Sequence, residues 1–278
     1  MWSWSSFPGA RSGQERGVPV AGATYDVRAL VLRKTKLGET DLILTLLAED
    51  GRQVKAVAKG ARKPSSSFAS RLEIFSEVDL LMVQGKSLDI VKEARLVDAH
   101  LDVRLDMEHA AAAAPTVDLM ARLSQPDLES PKLFPLTVSA LNHAGKADAS
   151  GALAICAAHM LKAFAFAGFR PSLDRCVGCG KPLDLANAQG VRTMIPFSAA
   201  EGGAVCPSCL LFTDTVHVST EVLTWSQFLM LSTFDDVLQT GMERRVSFEI
   251  LQLCQMWVRE HVGSRLKSLE FLFTCGLF

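Results

Sequence analysis

Tyrosine is nearly absent, Tyr25 being the single copy, and aromatic residues make up only 7% of the chain. That scarcity disfavours a binder built on rows of stacked bases, because such platforms need aromatic side chains. Long apolar runs are equally scarce. The opening MWSWSSFPGARSGQERGVPVAG lacks the apolar core of a secretory signal and reads as a disordered extension over residues 1–22. One stretch of membrane-spanning length, Gly151–Phe169, carries His159 and Lys162 near its middle, so it reads as a buried helix of a bundle. Seven cysteines are too few and too clustered for a disulfide framework, which points to a reducing, cytoplasmic setting.

Catalytic signatures are missing as well. GKS at Gly85–Ser87 is no phosphate-binding loop, because Leu80 stands where the first glycine belongs and no helix is expected to follow. The six histidines show no H-E-x-x-H spacing, and neither G-x-S-x-G nor a strand-borne G-x-G-x-x-G occurs. No two carboxylates are spaced to work as a pair, and Glu39, Asp41, Asp235 and Asp236 read as solvated or capping charges. The expectation is a protein that is not an enzyme.

What is present is an uneven distribution of charge. The formal net charge of −1 hides 15 Lys/Arg against 11 Asp/Glu in residues 1–97, and 14 against 19 in the remainder. Between Gly51 and Arg71 the cations Arg52, Lys55, Lys59, Arg62, Lys63 and Arg71 meet no acid at all. A polyanion responds to such local density within a Debye length of about 8 Å, not to net charge. The segment KGARKPSSSF (Lys59–Phe68) is therefore either a loop kept soluble by its charges or a phosphate-binding loop, and composition alone leaves both open.

Hydrophobic patterning divides the chain. From Tyr25 to Val97 it reads as five short strands: YDVRALVLR alternates, TDLILTLLA is apolar, EDG at Glu49–Gly51 turns into RQVKAVAK, and QGKS links EIFSEVDLLMV to LDIVKEARLV. Strands so short and close suit a small closed barrel such as an OB-fold. From Ala99 the period becomes helical, with a break or kink expected at Pro115 and a helix start at Ser219 with Glu221 in its first turn. The fold class is thus α+β and multidomain: an OB-fold barrel over 23–98, a helical domain over 99–172 and 216–278, and an inserted module over 173–215.

That insert carries the sharpest motif, Cys176-x-x-Cys179 and, after 26 residues, Cys206-x-x-Cys209. Paired thiolates two residues apart suit the tetrahedral geometry of one Zn²⁺, and four protein ligands make a structural site, since catalytic zinc keeps a position for water. A redox dithiol is the rival, but it gives no reason for a second pair. Cys156, Cys254 and Cys275 lie on apolar helical stretches and read as core residues.

Taken in order, the barrel-like start, KGARKPSSSFASRLEIFS, GFRPSLDRCVGCGKPL with CPSC, and the closing SRLKSLEFL resemble the RecO family of bacterial recombination and repair proteins over about Tyr25–Leu272. The resemblance implies a DNA-binding mediator that acts without ATP and binds single- and double-stranded DNA. It also implies that the protein anneals complementary strands and, with RecR, helps load RecA onto DNA coated by single-strand binding protein, whose acidic C-terminal tail is a further partner. It carries over Cys176, Cys179, Cys206 and Cys209 as zinc ligands and Lys59, Arg62 and Lys63 as DNA contacts; Lys55 and Arg71 join them on charge density. The extension before about Gly22 departs from the family pattern. Two other readings stay open, a zinc-containing scaffold whose basic patch meets an acidic protein partner, and a thiol oxidoreductase.

Overall fold

The computed structural model describes residues 22–185, 193–212 and 214–278. The extension expected over residues 1–22 lies outside the described residues except for Gly22.

Five strands close the N-terminal barrel: β1 (Thr24–Leu37), β2 (Asp41–Ala48), β3 (Gln53–Ala58), β4 (Glu77–Val83) and β5 (Asp89–Asp98), in the order β1-β2-β3-β5-β4. All neighbours are antiparallel except β3 and β5. This is the OB-like architecture expected from the short strands. Its interior is narrow, and alanines at 29, 56 and 58 pack there beside Leu44, Leu46 and Leu80. Tyr25 donates its hydroxyl to Asp89 across the closure, and Asp89 also accepts the Gly85 amide at 2.9 Å. GKS is therefore a tight turn, with the Leu88 carbonyl 1.9 Å from where a Cβ on Gly85 would stand.

One irregularity decides which face of β1 meets what. Between Val31 and Arg33 the β1–β2 register shifts by one residue, the mark of a β-bulge. Ala29 and Val31 point into the barrel, whereas Leu30, Leu32 and their neighbour Leu47 enter the core of the helical domain. Gln53, opposite Leu47 on the next strand, is buried at the same seam. Its amide donates to the Ala121 carbonyl at 2.9 Å and the Ser124 carbonyl at 3.2 Å. Close by, the Ser130 amide donates to the Asp50 carbonyl at 2.9 Å, and Gly51, at φ 83°, leaves no room for a side chain beneath Ser130.

The helical part contains α1 (Leu101–Arg104), α2 (Met107–Leu123), α3 (Leu133–Lys146), α4 (Ala149–Phe166), α5 (Thr220–Leu231), α6 (Phe234–Gln239), α7 (Arg244–His261) and α8 (Lys267–Thr274). Ser219 caps α5 as expected, accepting the Val222 amide at 3.3 Å. Of the break or kink expected at Pro115, the break does not occur. Helix α2 runs through Pro115, and the interruption comes at Leu105–Asp106, where the Asp106 carboxylate accepts the His109 amide at 2.9 Å and starts a new helix. A mid-helix proline forfeits one backbone bond and crowds the preceding turn, costs that burial of Pro115 among tightly packed helices offsets here. The strand expected to begin near Glu73 starts only at Glu77, because Phe75 takes a left-handed backbone (φ 73°) and donates its amide to Val31.

The stretch of membrane-spanning length is the core helix α4, 72% buried inside the fold. Its alanines allow neighbouring helices to approach closely. His159 lies fully buried on it, with Nε2 3.1 Å from the Thr137 hydroxyl; that hydroxyl already donates to the Leu133 carbonyl, so Nε2 carries the proton. Nδ1 has no partner, and burial pushes the imidazole's pKa down to about 3 from 6.5. The unfolded chain therefore binds more protons than the folded one between these values. Stability should fall by up to about 1.4 kcal/mol per pH unit as pH drops from 6 to 4. His159→Gln keeps a donor toward Thr137 but cannot titrate; denaturant titrations should show that it removes most of this slope, and an unchanged slope would assign the acid sensitivity to other groups.

Candidate nucleic-acid interface and candidate metal centre

The segment between β3 and β4 closes one end of the barrel. It is a succession of hydrogen-bonded turns: Lys63 amide to Gly60 carbonyl (3.0 Å), Ser66 to Lys63 (2.9 Å), Arg71 to Phe68 (3.1 Å). Ala61 and Leu72 are buried in the barrel core, and Phe68 packs against it from the rim. These apolar anchors leave Lys59, Arg62 and Lys63 exposed.

A second set of bonds ties this segment to the turn between β1 and β2. Asp41 accepts the Gly60 amide at 2.7 Å and the Thr40 hydroxyl at 2.9 Å. The Gly60 amide is the main reason the Asp41 carboxyl titrates below its usual range, with Lys59 and Lys63 adding to the effect. Arg62 donates its amide to the Thr40 carbonyl at 2.8 Å and Nη1 to the Gly38 carbonyl at 3.1 Å. Asp41, expected to be a solvated or capping charge, is thus a tether within the cationic cluster. Gly60, at φ 66°, makes the close approach possible.

Lys55 joins the cluster through strand register. On the outer face of the sheet the row Leu30–Leu47–Gln53 is covered by the helical domain; the next row outward is Arg33–Thr45–Lys55, with both cations exposed. Arg33 was not singled out from sequence, because its neighbourhood depends on the bulge. Only the alternation of YDVRALVLR hinted at it.

Arg71 lies apart from this group. Its Nη1 donates to the Ala94 carbonyl of β5 at 3.0 Å, on the rim of an open groove of about 730 Å³ that Arg28, Asp79, Lys92, Glu93 and Arg95 also line. Acids alternate with bases there, and Arg28 and Arg95 are paired with Glu77 and Asp79. The structure thus places Lys59, Arg62 and Lys63 around the Gly38–Asp41 turn, sets Lys55 in a row with Arg33, and turns Arg71 toward the β5 edge.

The four cysteines of the two C-x-x-C pairs converge. Their sulfurs all lie within 4.8 Å of one another. A tetrahedron of metal–sulfur bonds of about 2.3 Å spaces its sulfurs about 3.8 Å apart, and the Cys179–Cys206 separation is 3.8 Å. The Cys206 amide donates to the Cys176 sulfur at 3.2 Å, which favours the thiolate and fixes the direction of the sulfur. A Cβ on Gly178 would stand 3.2 Å from the Cys209 sulfur, so only glycine fits the first knuckle without crowding. Burial raises the Cys176 pKa, but the amides of Cys206, Cys179 and Gly178 outweigh it and bring the thiol to about 6. Hydrogen bonding to Cys206 pushes Cys209 up to about 12. Four such donors could hold a metal ion, and nothing else among the described residues forms a comparable cluster. The knuckles rest on a three-stranded sheet of β6 (Met194–Ser198), β7 (Gly203–Ala204) and β8 (Val216–Ser219), rooted through Phe197 against Trp257 of α7.

Fold and site together define an OB-like barrel protein with a cationic rim, joined to a helical domain bearing a four-cysteine cluster that could hold a metal ion. Comparison with known families narrows this: residues 23–100 match the family described as Recombination protein O N terminal, and residues 104–270 match Recombination protein O C terminal. The chain belongs to the RecO family. A DNA repair protein RecO of Bifidobacterium longum (strain DJO10A) is 32% identical over 89% of this chain and 98% of its own length. Another from Bifidobacterium animalis subsp. lactis is 34% identical over 77% of this chain and 89% of its own. A third, from Symbiobacterium thermophilum, is 30% identical over 91% and 98%.

If Asp41 is the tether, Asp41→Ala should release the rim without unfolding the barrel. Hydrogen exchange at Gly60 and Arg62 should accelerate at least tenfold with little change in melting temperature, whereas unaltered protection would show that the turns hold themselves.

Proposed function

We propose that this protein is a non-enzymatic DNA-binding recombination mediator that acts in the cytoplasm, with Lys55, Lys59, Arg62 and Lys63 forming the phosphate-contacting surface and Arg33 extending it. The observation that carries this reading is that Lys59, Arg62 and Lys63 are exposed on a segment tied by Asp41 and the Gly38 and Thr40 carbonyls to the β1–β2 turn, with Lys55 and Arg33 exposed on the adjoining outer face. Cations that neutralise phosphates release condensed counterions and bind without reading bases. With no aromatic row beside them, affinity is mainly electrostatic and sequence-tolerant. Holding two strands by their phosphates lowers their mutual repulsion, which favours annealing of complementary strands. The family relationship supports single- and double-stranded DNA as ligands, RecR and the acidic tail of single-strand binding protein as partners, and RecA loading as the outcome.

Zn²⁺ is the metal we assign to Cys176, Cys179, Cys206 and Cys209, since four thiolates at tetrahedral spacing suit it. With every ligand supplied by protein its contribution is folding energy. The chain's own residues build the knuckles, orient the sulfurs by backbone amides and anchor the module on Phe197 and Trp257.

Lys59→Ala/Arg62→Ala/Lys63→Ala should weaken single-stranded DNA binding roughly tenfold or more near physiological salt and reduce the salt slope by about 2, the share of three phosphate contacts. Filter binding across a salt series checks this, with Arg71→Ala as a comparison expected to change affinity less; an unchanged slope in the triple variant would reject the assignment. Strand annealing without ATP, on oligonucleotides coated with single-strand binding protein, tests the mediator role itself.

Cys206→Ser should lower bound zinc from about one per chain and depress the melting temperature before it affects DNA affinity. Elemental analysis with parallel melting and binding curves checks the order. Loss of DNA affinity in a variant that melts like the parent would place the metal at the DNA surface instead.

A further inference from the structure

The short helix α1 and the break that follows it present an apolar surface that nothing among the described residues covers. Leu101 is 52% exposed, Leu105 82% and Met107 70%, all within seven residues. Leu101 and Leu105, four apart, share one face of the helical turn. Nothing in the backbone requires such side chains: Leu105 is the C-cap of α1 and Met107 the first residue of α2, and polar residues serve both positions equally well. Val103, on the other face, is the buried residue that anchors the turn.

Acids outnumber cations around this surface, where the His109 ring beside Asp106 can add positive charge to that of Arg104. Asp98, Asp102, Asp106 and Glu108 lie in the same segment, and its one Lys/Arg, Arg104, is directed to Glu73 at 3.9 Å. Asp98 accepts the His100 amide at 2.8 Å, and Asp106 accepts the His109 amide at 2.9 Å and pairs with the His109 ring at 2.7 Å. Such a rim repels nucleic acid and anionic lipid alike. The complementary occupant is a protein segment with large apolar side chains among lysines or arginines.

We propose that Leu101, Leu105 and Met107, with their acidic rim, form a docking site for a basic amphipathic helix of a partner protein. The site lies outside the cationic barrel end, so its occupant need not compete with DNA. Interfaces gain most from a few desolvated apolar anchors, and charges at the rim select among partners.

The test uses two fluorescent helical peptides of equal length, one of leucine and lysine, the other of leucine and glutamate, titrated with the full chain. The leucine–lysine peptide should bind; Leu105→Ser/Met107→Ser should weaken it at least tenfold and Asp102→Asn/Glu108→Gln severalfold. Leu231→Ser/Phe271→Ser, which alters exposed apolar residues elsewhere, should leave it unchanged, and single-stranded DNA binding should persist in every variant. Absence of binding, equal binding of the leucine–glutamate peptide, or equal loss in the Leu231/Phe271 variant would each overturn the proposal. So would sedimentation showing a dimer that Leu105→Ser/Met107→Ser dissociates, because the surface would then belong to a second copy of this chain. Leaving the peptide bound while DNA affinity is lost would refute the phosphate-binding reading alone.

Discussion

Gln53 sits where the barrel meets the helical domain, and its buried amide can be accommodated only if two or more carbonyls face it. The end of α2 supplies them at Ala121 and Ser124. An unpaired amide at this depth would cost a few kcal/mol, so the bonds fix the seam to one register. Everything outward of that row follows. Leu30 and Leu47, aligned with Gln53, are covered; Arg33, Thr45 and Lys55, one row on, face solvent. The boundary between packing surface and cationic surface is thus one residue row wide.

Beyond the seam, the cationic end depends on apolar anchors as much as on charge. Lysines and arginines crowded on a free loop would spread apart by mutual repulsion. Here Ala61, Phe68 and Leu72 secure the segment to the barrel core, while Asp41 gathers Gly60 and, through its neighbour Thr40, Arg62. An acid within a cationic surface looks counterproductive. Asp41 is tolerable because its charge is stabilised by the Gly60 amide, the Thr40 hydroxyl and two nearby lysines, and because it ties their segment to the β1–β2 turn.

A similar division of labour marks the cysteine module. The four sulfurs supply the donor cluster, and the sheet β7-β6-β8 supplies position, with Phe197 carrying the module onto the core helices. The closing SRLKSLEFL motif is likewise structural: Leu266, Leu269 and Leu272 are buried, and Ser268 donates its hydroxyl at 2.9 Å to Asp118 of α2, 150 residues away in sequence.

Sequence by itself determined the elements whose causes are local. Alternation and turn residues specified five strands, Ser219 marked a helix start, and two C-x-x-C pairs announced a metal cluster, because pleat, cap and knuckle each depend on residues only a few positions apart. Glu39 and Asp41 looked alike in the sequence, as did Arg52, Lys55 and Arg71, and nothing local separates them. Tertiary structure decided that Asp41 is a tether, that Lys55 aligns with Arg33, and that Arg71 turns away to the Ala94 carbonyl. The same holds at Pro115, where burial kept α2 continuous, and at Leu105, which packing left in solvent. Each of these outcomes depends on register across strands or on contacts between distant segments, and such partners are chosen only when the chain has folded.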